Sequence, residues 1–178
     1  MHILCNWRSI PNADPIINAD VIIGMSFGAN HKSKGENPGV SNEEIARIVY
    51  RLWNLKNVPV IVQREVAEAL VKLNIPIRPA LVVSEIDGQV HIGSHEVMFQ
   101  AWRYCQRSQI THVMIVAHPA HILRCAWVAQ KIGFIVSLPD VSSVPYEPTS
   151  TQWWTRNKWY YWVWELHARI WLKINGYL

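Results

Sequence analysis

A chain of 178 residues and 20.6 kDa, half apolar and only 17% charged, is long enough for one domain that buries about 70% of its extended surface, and too apolar to be a disordered tail. No run of residues is long and apolar enough to span a bilayer, and residues 1–11 lack the basic start and apolar core of a signal peptide, so a cytoplasmic protein is expected. The formal charge is +4, but lysine and arginine are scattered without a dense run or an RNA-binding aromatic motif, so nucleic acid is not expected as a partner. Cys5, Cys105 and Cys125 are odd in number, lie far apart and form no Cys-x-x-Cys pair, which reads as reduced thiols rather than a disulfide or zinc framework.

In chain order, residues 20–24 form a short apolar run ending in Gly24, and residues 41–54 read as a helix capped by Ser41 with Glu44 at its third position. A second β-branched run at 58–62 precedes a short helix over 65–73, and a third run covers 80–83. Residues 84–92 alternate around Asp87-Gly88, the dipeptide of a type I′ turn, and predict a small hairpin. Ser94 is expected to cap a helix through 106. A fourth run at 112–117 leads to Pro119, which suits a first helical turn, and a helix to 131 that Gly133 stops. Residues 134–138 are the fifth run. Strands alternating with helices predict a Rossmann-like α/β three-layer sandwich with a mostly parallel five-stranded sheet, in one domain over residues 1–178.

Residues 150–178 carry six of the ten tryptophans and read as one long amphipathic closing helix. At 100° per residue, Trp153, Trp159, Tyr160, Val163, Trp164, Leu166, Ile170, Trp171 and Ile174 share one arc, with Lys158, Glu165, Arg169 and Lys173 opposite. The expectation is that the aromatic arc packs on the sheet layer. Trp162, on the charged face, keeps open a competing use of the helix as a scaffold for a partner groove or a membrane surface.

Gly24-Met-Ser26-Phe-Gly28 matches the G-x-S-x-G pattern, and Ser26, Asp140 and His167 follow in hydrolase order, yet a polar loop of a dozen residues stands where a nucleophile elbow needs a helix. The glycines are therefore read as letting the chain turn at a strand's carboxyl end and admit a ligand. His118-Pro-Ala-His121 with Arg124 allows three readings: a metal pair with no third ligand in view, an anion site at a helix N-terminus, or a capping His118 beside a packed His121. The anion site is preferred. Ser94-His95-Glu96 opens another helix. Asn30, Glu65, Glu96, His121 and Asp140 all follow predicted strand ends, which share one edge of a parallel sheet, where a ligand crevice forms.

Taken in order, these motifs resemble a family, the bacterial YdcF/SanA/ElyC-like proteins, or domain of unknown function 218. Residues 20–24 look like its first strand, Ser41 and Arg47 resemble its following helix, Ser94-x-Glu96 its Thr-x-Glu-Asn signature, and residues 115–124 its strand leading into a histidine and an arginine. Gln63-Arg64-Glu65 stands where the family has Ser-Gly-Gly, and Glu165 matches a late glutamate. The resemblance implies a Rossmann-like sheet, a nucleotide-like ligand such as S-adenosylmethionine, and a part in cell-envelope maintenance. The leading expectation is a small anionic or nucleotide-like ligand bound by Gly24, Ser26, Gly28, Asn30, Glu65, Ser94, His118, Arg124 and Asp140. The alternative from another class is a hydrolase or transferase on a phosphorylated or glycan precursor, with His121 as acid or base and Glu96 orienting it.

Overall fold

A computed structural model describes residues 18–28, 37–84 and 92–177. Asn30 and the turn of the expected 84–92 hairpin fall outside them. The apolar runs become five strands, β1 (Val21–Gly24), β2 (Val60–Gln63), β3 (Leu81–Val83), β4 (His112–Val116) and β5 (Ile135–Ser137). All four pairings are parallel, in the order β3-β2-β1-β4-β5. This is the expected sheet. β1 lies at its centre and is wholly buried, as are Val113–Val116 of β4, because helices cover both faces and leave no solvent side on which polar residues could alternate.

The crossovers are α1 (Val40–Lys56), α2 (Arg64–Lys72), α3 (Ser94–Arg107) and α4 (Ile122–Lys131). α1 packs with α2, and α3 with α4, as right-handed connections running outward in both directions from β1 require. The strand order therefore reverses between β1 and β4, where the two carboxyl-end loops part.

Two expected caps are displaced. α1 is capped by Gly39, whose φ of 93° suits glycine and where a Cβ would collide with the Glu147 carboxylate. Ser41 lies inside the helix instead. Its N–H donates to Glu147 Oε2 (3.2 Å) and its hydroxyl to the Pro145 carbonyl (2.7 Å), tying the start of α1 to the segment after β5. Gly93 caps α3, and the Glu96 carboxylate accepts its N–H (2.6 Å). The Ser94 hydroxyl is thereby left for another use.

Phe27, Gly28 and Pro38 are held by Asn42, a fully buried amide in the first turn of α1. Its Oδ1 accepts the Phe27 N–H (2.9 Å) and its Nδ2 donates to the carbonyls of Gly28 (3.1 Å) and Pro38 (2.7 Å). Replacing it with Ala orphans three buried backbone groups. Asn42→Ala is therefore expected to destabilise by about 3 kcal/mol or more, at 1–3 kcal/mol per buried group left unsatisfied, read as a lower urea midpoint; an unchanged midpoint would deny Asn42 this role.

The C-terminal segment overturns one expectation. It is not one helix from residue 150: a short 3-10 turn (Trp153–Thr155) precedes α5 (Lys158–Ile174), because the Asn157 side chain accepts the N–H groups of Trp159 and Tyr160 and starts the helix afresh. Its orientation is also the reverse of the one expected. The buried face is Tyr161, Glu165, Ala168, Arg169 and Leu172, whereas Trp159, Val163 and Ile174 are 76%, 59% and 79% exposed. Trp153, Tyr160, Trp162, Ile170 and Trp171 are exposed with them, and Trp164 is only partly buried. Ion pairing decides the matter, since Glu165 and Arg169 turn inward to meet Arg124 of α4. Among the described residues no helix is long and apolar enough to cross a membrane.

Candidate functional site

A cavity of about 400 Å³ opens at the carboxyl edge of the sheet. It takes its floor from the loops after β1, β2 and β3, one side from the starts of α3 and α4, and its roof from the 3-10 turn and α5. The lining is displaced toward β2 and β3 for a visible reason. At the β1/β4 crevice itself, Phe27 stacks on His118 at 3.7 Å between ring centres and 10° between planes, with Tyr146 and Tyr161 against the same pair. These rings fill the place where the strand order reverses, and the cavity lies beside it.

Of the expected site residues, Ser26, Gly28, Glu65, Ser94, His121 and Arg124 line the cavity. The others do not. Gly24 is the last residue of β1, where a Cβ would press on Val62 and Val49, so it serves close packing. His118 belongs to the aromatic plug; its Nδ1 accepts the Ala120 N–H (3.1 Å) in the turn before α4, whose N-cap position is His121, so His118 does not cap the helix. Glu96 is the α3 cap and does not orient His121. Asp140 follows β5 at the far side of the sheet, exposed, accepting the Ser142 N–H (2.9 Å). Asn30 lies outside the described residues.

Arg124 organises one end of the cavity. Its Nε donates to Glu165 Oε2 (2.9 Å), Nη1 to the Ser94 hydroxyl (3.3 Å) and Nη2 to the Tyr161 hydroxyl (3.3 Å). Tyr161 in turn donates to Glu165 Oε2 (3.1 Å), and Arg169 Nε donates to Glu165 Oε1 (2.8 Å) while its guanidinium lies 4.5 Å over the Trp127 ring. Burial works against the Arg124 charge, but the neighbouring Tyr161 and Glu165 more than restore it and hold the guanidinium fully protonated. Two guanidinium groups against one carboxylate leave this cluster with a net charge of +1. Of the five guanidinium N–H groups of Arg124, three are engaged in these bonds.

Burial disfavours the charged form of both motif histidines. Burial pushes His118 down to about 3, and His121 falls well below its ordinary value through burial and the adjacent positive charge of Arg124. The positive charge at this end belongs to the Arg124 cluster. Nε2 of His121 is buried without a hydrogen-bond partner among the described residues.

Several site residues carried no motif. Gln63 is a tether, its Oε1 accepting the Ser26 N–H (2.7 Å) and joining the residues just after β1 to the end of β2. Trp154 and Trp164 stack at 4.3 Å and form an aromatic wall, and His95, His167 and Trp171 complete the rim. The one sequence signal for this wall is the dense tryptophan content after residue 150, whose facing could not be read without Arg124. No group of side chains suited to hold a metal ion occurs among the described residues. Compared with protein-family models, curated proteins and solved structures, the chain matches none.

Proposed function

We propose that the protein binds a small anionic, nucleotide-like ligand in this cavity, with its flat ring on the Trp154/Trp164 wall and its negative group toward Arg124. The observation that carries this reading is the presence, in the lining of one cavity of about 400 Å³, of both the stacked Trp154/Trp164 pair and Arg124, whose buried cluster carries a net charge of +1. Ring stacking and charge-assisted hydrogen bonding supply the two halves of such recognition, and the Ser26 and Ser94 hydroxyls supply neutral polar contacts. The site stands at the strands' carboxyl edge, where open α/β sheets place their ligands. The resemblance to YdcF-like proteins supports a nucleotide-like compound, S-adenosylmethionine among them.

The test is a thermal melt of the full chain with adenosine, AMP, S-adenosylmethionine and inorganic phosphate. A ligand present at a hundred times its Kd stabilises by about 2.7 kcal/mol, so AMP or S-adenosylmethionine is expected to raise Tm by several degrees, and adenosine or phosphate alone by less. Trp164→Ala is expected to remove the shift. If none of the four moves Tm, or if Trp164→Ala leaves the shift intact, the reading fails.

A further inference from the structure

We infer that the outward face of α5 is a docking surface for an anionic membrane. The face is mostly apolar and aromatic, with Lys173 inside it at its C-terminal end: Trp159, Trp162, Val163, Ile170 and Ile174 are all exposed, with Leu166 half-buried among them. On a helical wheel these six side chains span about 120°. Isolated surface leucines and valines are ordinary, but a contiguous stripe with two tryptophans is the mark of a surface that meets something apolar.

The charges around the stripe say what that something is. From residue 147 to residue 177 the chain has two acidic residues, Glu147 and Glu165, and both are buried. Arg156, Lys158 and Lys173 are exposed. The visible charge of this segment is therefore wholly positive, since the acid that sequence alone places among its lysines is turned inward to Arg124 and Arg169. A second copy of the chain would bring like charges together across such a face. An anionic lipid surface complements it, with tryptophans at the depth of the headgroups and the long lysine side chains reaching up beside them. At 17 residues with Glu165 and Arg169 on its inner side, α5 can lie on a bilayer but cannot cross one.

The experiment is co-sedimentation of the full chain with vesicles of phosphatidylcholine alone and of phosphatidylcholine with 30% phosphatidylglycerol. Binding is expected to the anionic vesicles, at least tenfold weaker to the neutral ones, and falling as salt rises. Trp159→Ala with Ile170→Ala, both exposed substitutions that leave the fold intact by circular dichroism, should weaken binding more than tenfold. Lys158→Gln with Lys173→Gln should weaken it about 30-fold, at about fivefold per lysine. Absence of binding to anionic vesicles, or equal binding to both kinds, overturns the inference. So does a concentration-dependent dimer in sedimentation velocity that Trp159→Ala with Ile170→Ala abolishes, which would assign the face to a second copy. None of these readouts requires the cavity to be occupied.

Discussion

Glu165→Gln is expected to destabilise the protein by about 3–5 kcal/mol, the range for removing one partner of a buried ion pair. The side chain is 2% exposed and accepts from Arg124, Arg169 and Tyr161 at once, so its loss leaves two guanidinium groups facing each other without their counter-charge. The damage lies mainly in the stranded cations, and a second variant separates that from simple loss of packing. Replacing all three ionic residues with apolar ones of similar volume (Arg124→Met, Glu165→Leu, Arg169→Met) removes the cations as well and should recover most of the stability. Urea unfolding at pH 7 reads both. A Glu165→Gln loss below 1 kcal/mol would mean that the cluster is solvated rather than buried.

Mild acid should weaken the fold through its buried histidines. His118 binds a proton at about pH 6.5 when unfolded but at about 3 when folded, because burial against Phe27 and Tyr146 excludes the charged ring. The unfolded state therefore holds more protons between those values, and stability rises with pH across that window. It is fully present above the unfolded value and is lost progressively as pH falls below it. From pH 7 to pH 5 the loss from His118 is about 2 kcal/mol, at 1.36 kcal/mol per unit, and His121, shifted the same way, adds to it. His118→Phe keeps the stack and removes the proton, so its pH dependence should be shallower than that of the parent chain. A urea midpoint that stays level from pH 7 to pH 5 would contradict the burial of both rings.

How much of this was legible without coordinates depended on whether a residue's neighbours lay close in sequence. The strands could be read because β1 and β4 are nearly unbroken apolar runs, a pattern forced by burial on both faces, and the crossover helices because their apolar residues recur at helical spacing. Half of the site followed, since strand ends in a parallel sheet share an edge: Ser26, Glu65, Ser94, His121 and Arg124 do meet. What failed needed a distant partner. Ser41 and Ser94 had the chemistry of caps, but Glu147 and Arg124 claimed them, and Gly39 and Gly93 took the ends. α5 failed most completely. Average hydrophobicity turned its tryptophans inward, and only a buried arginine 41 residues away makes Glu165 the inner residue. A stripe of Tyr161, Glu165, Ala168, Arg169 and Leu172 at helical spacing was present to be read, but its two charges disguised it.

The roof of the cavity follows β5 in the chain, so during synthesis it leaves the ribosome after every strand of the sheet has emerged. Until α5 arrives, Arg124 has neither Glu165 nor Tyr161 beside it, and a sheet that closed over it early would enclose an unpaired cation. The nascent domain thus has a reason to stay loose at that edge. Arrival of the last helix both gives the arginine its carboxylate partner and encloses the binding space, so the pocket comes into being at the same step that completes the fold.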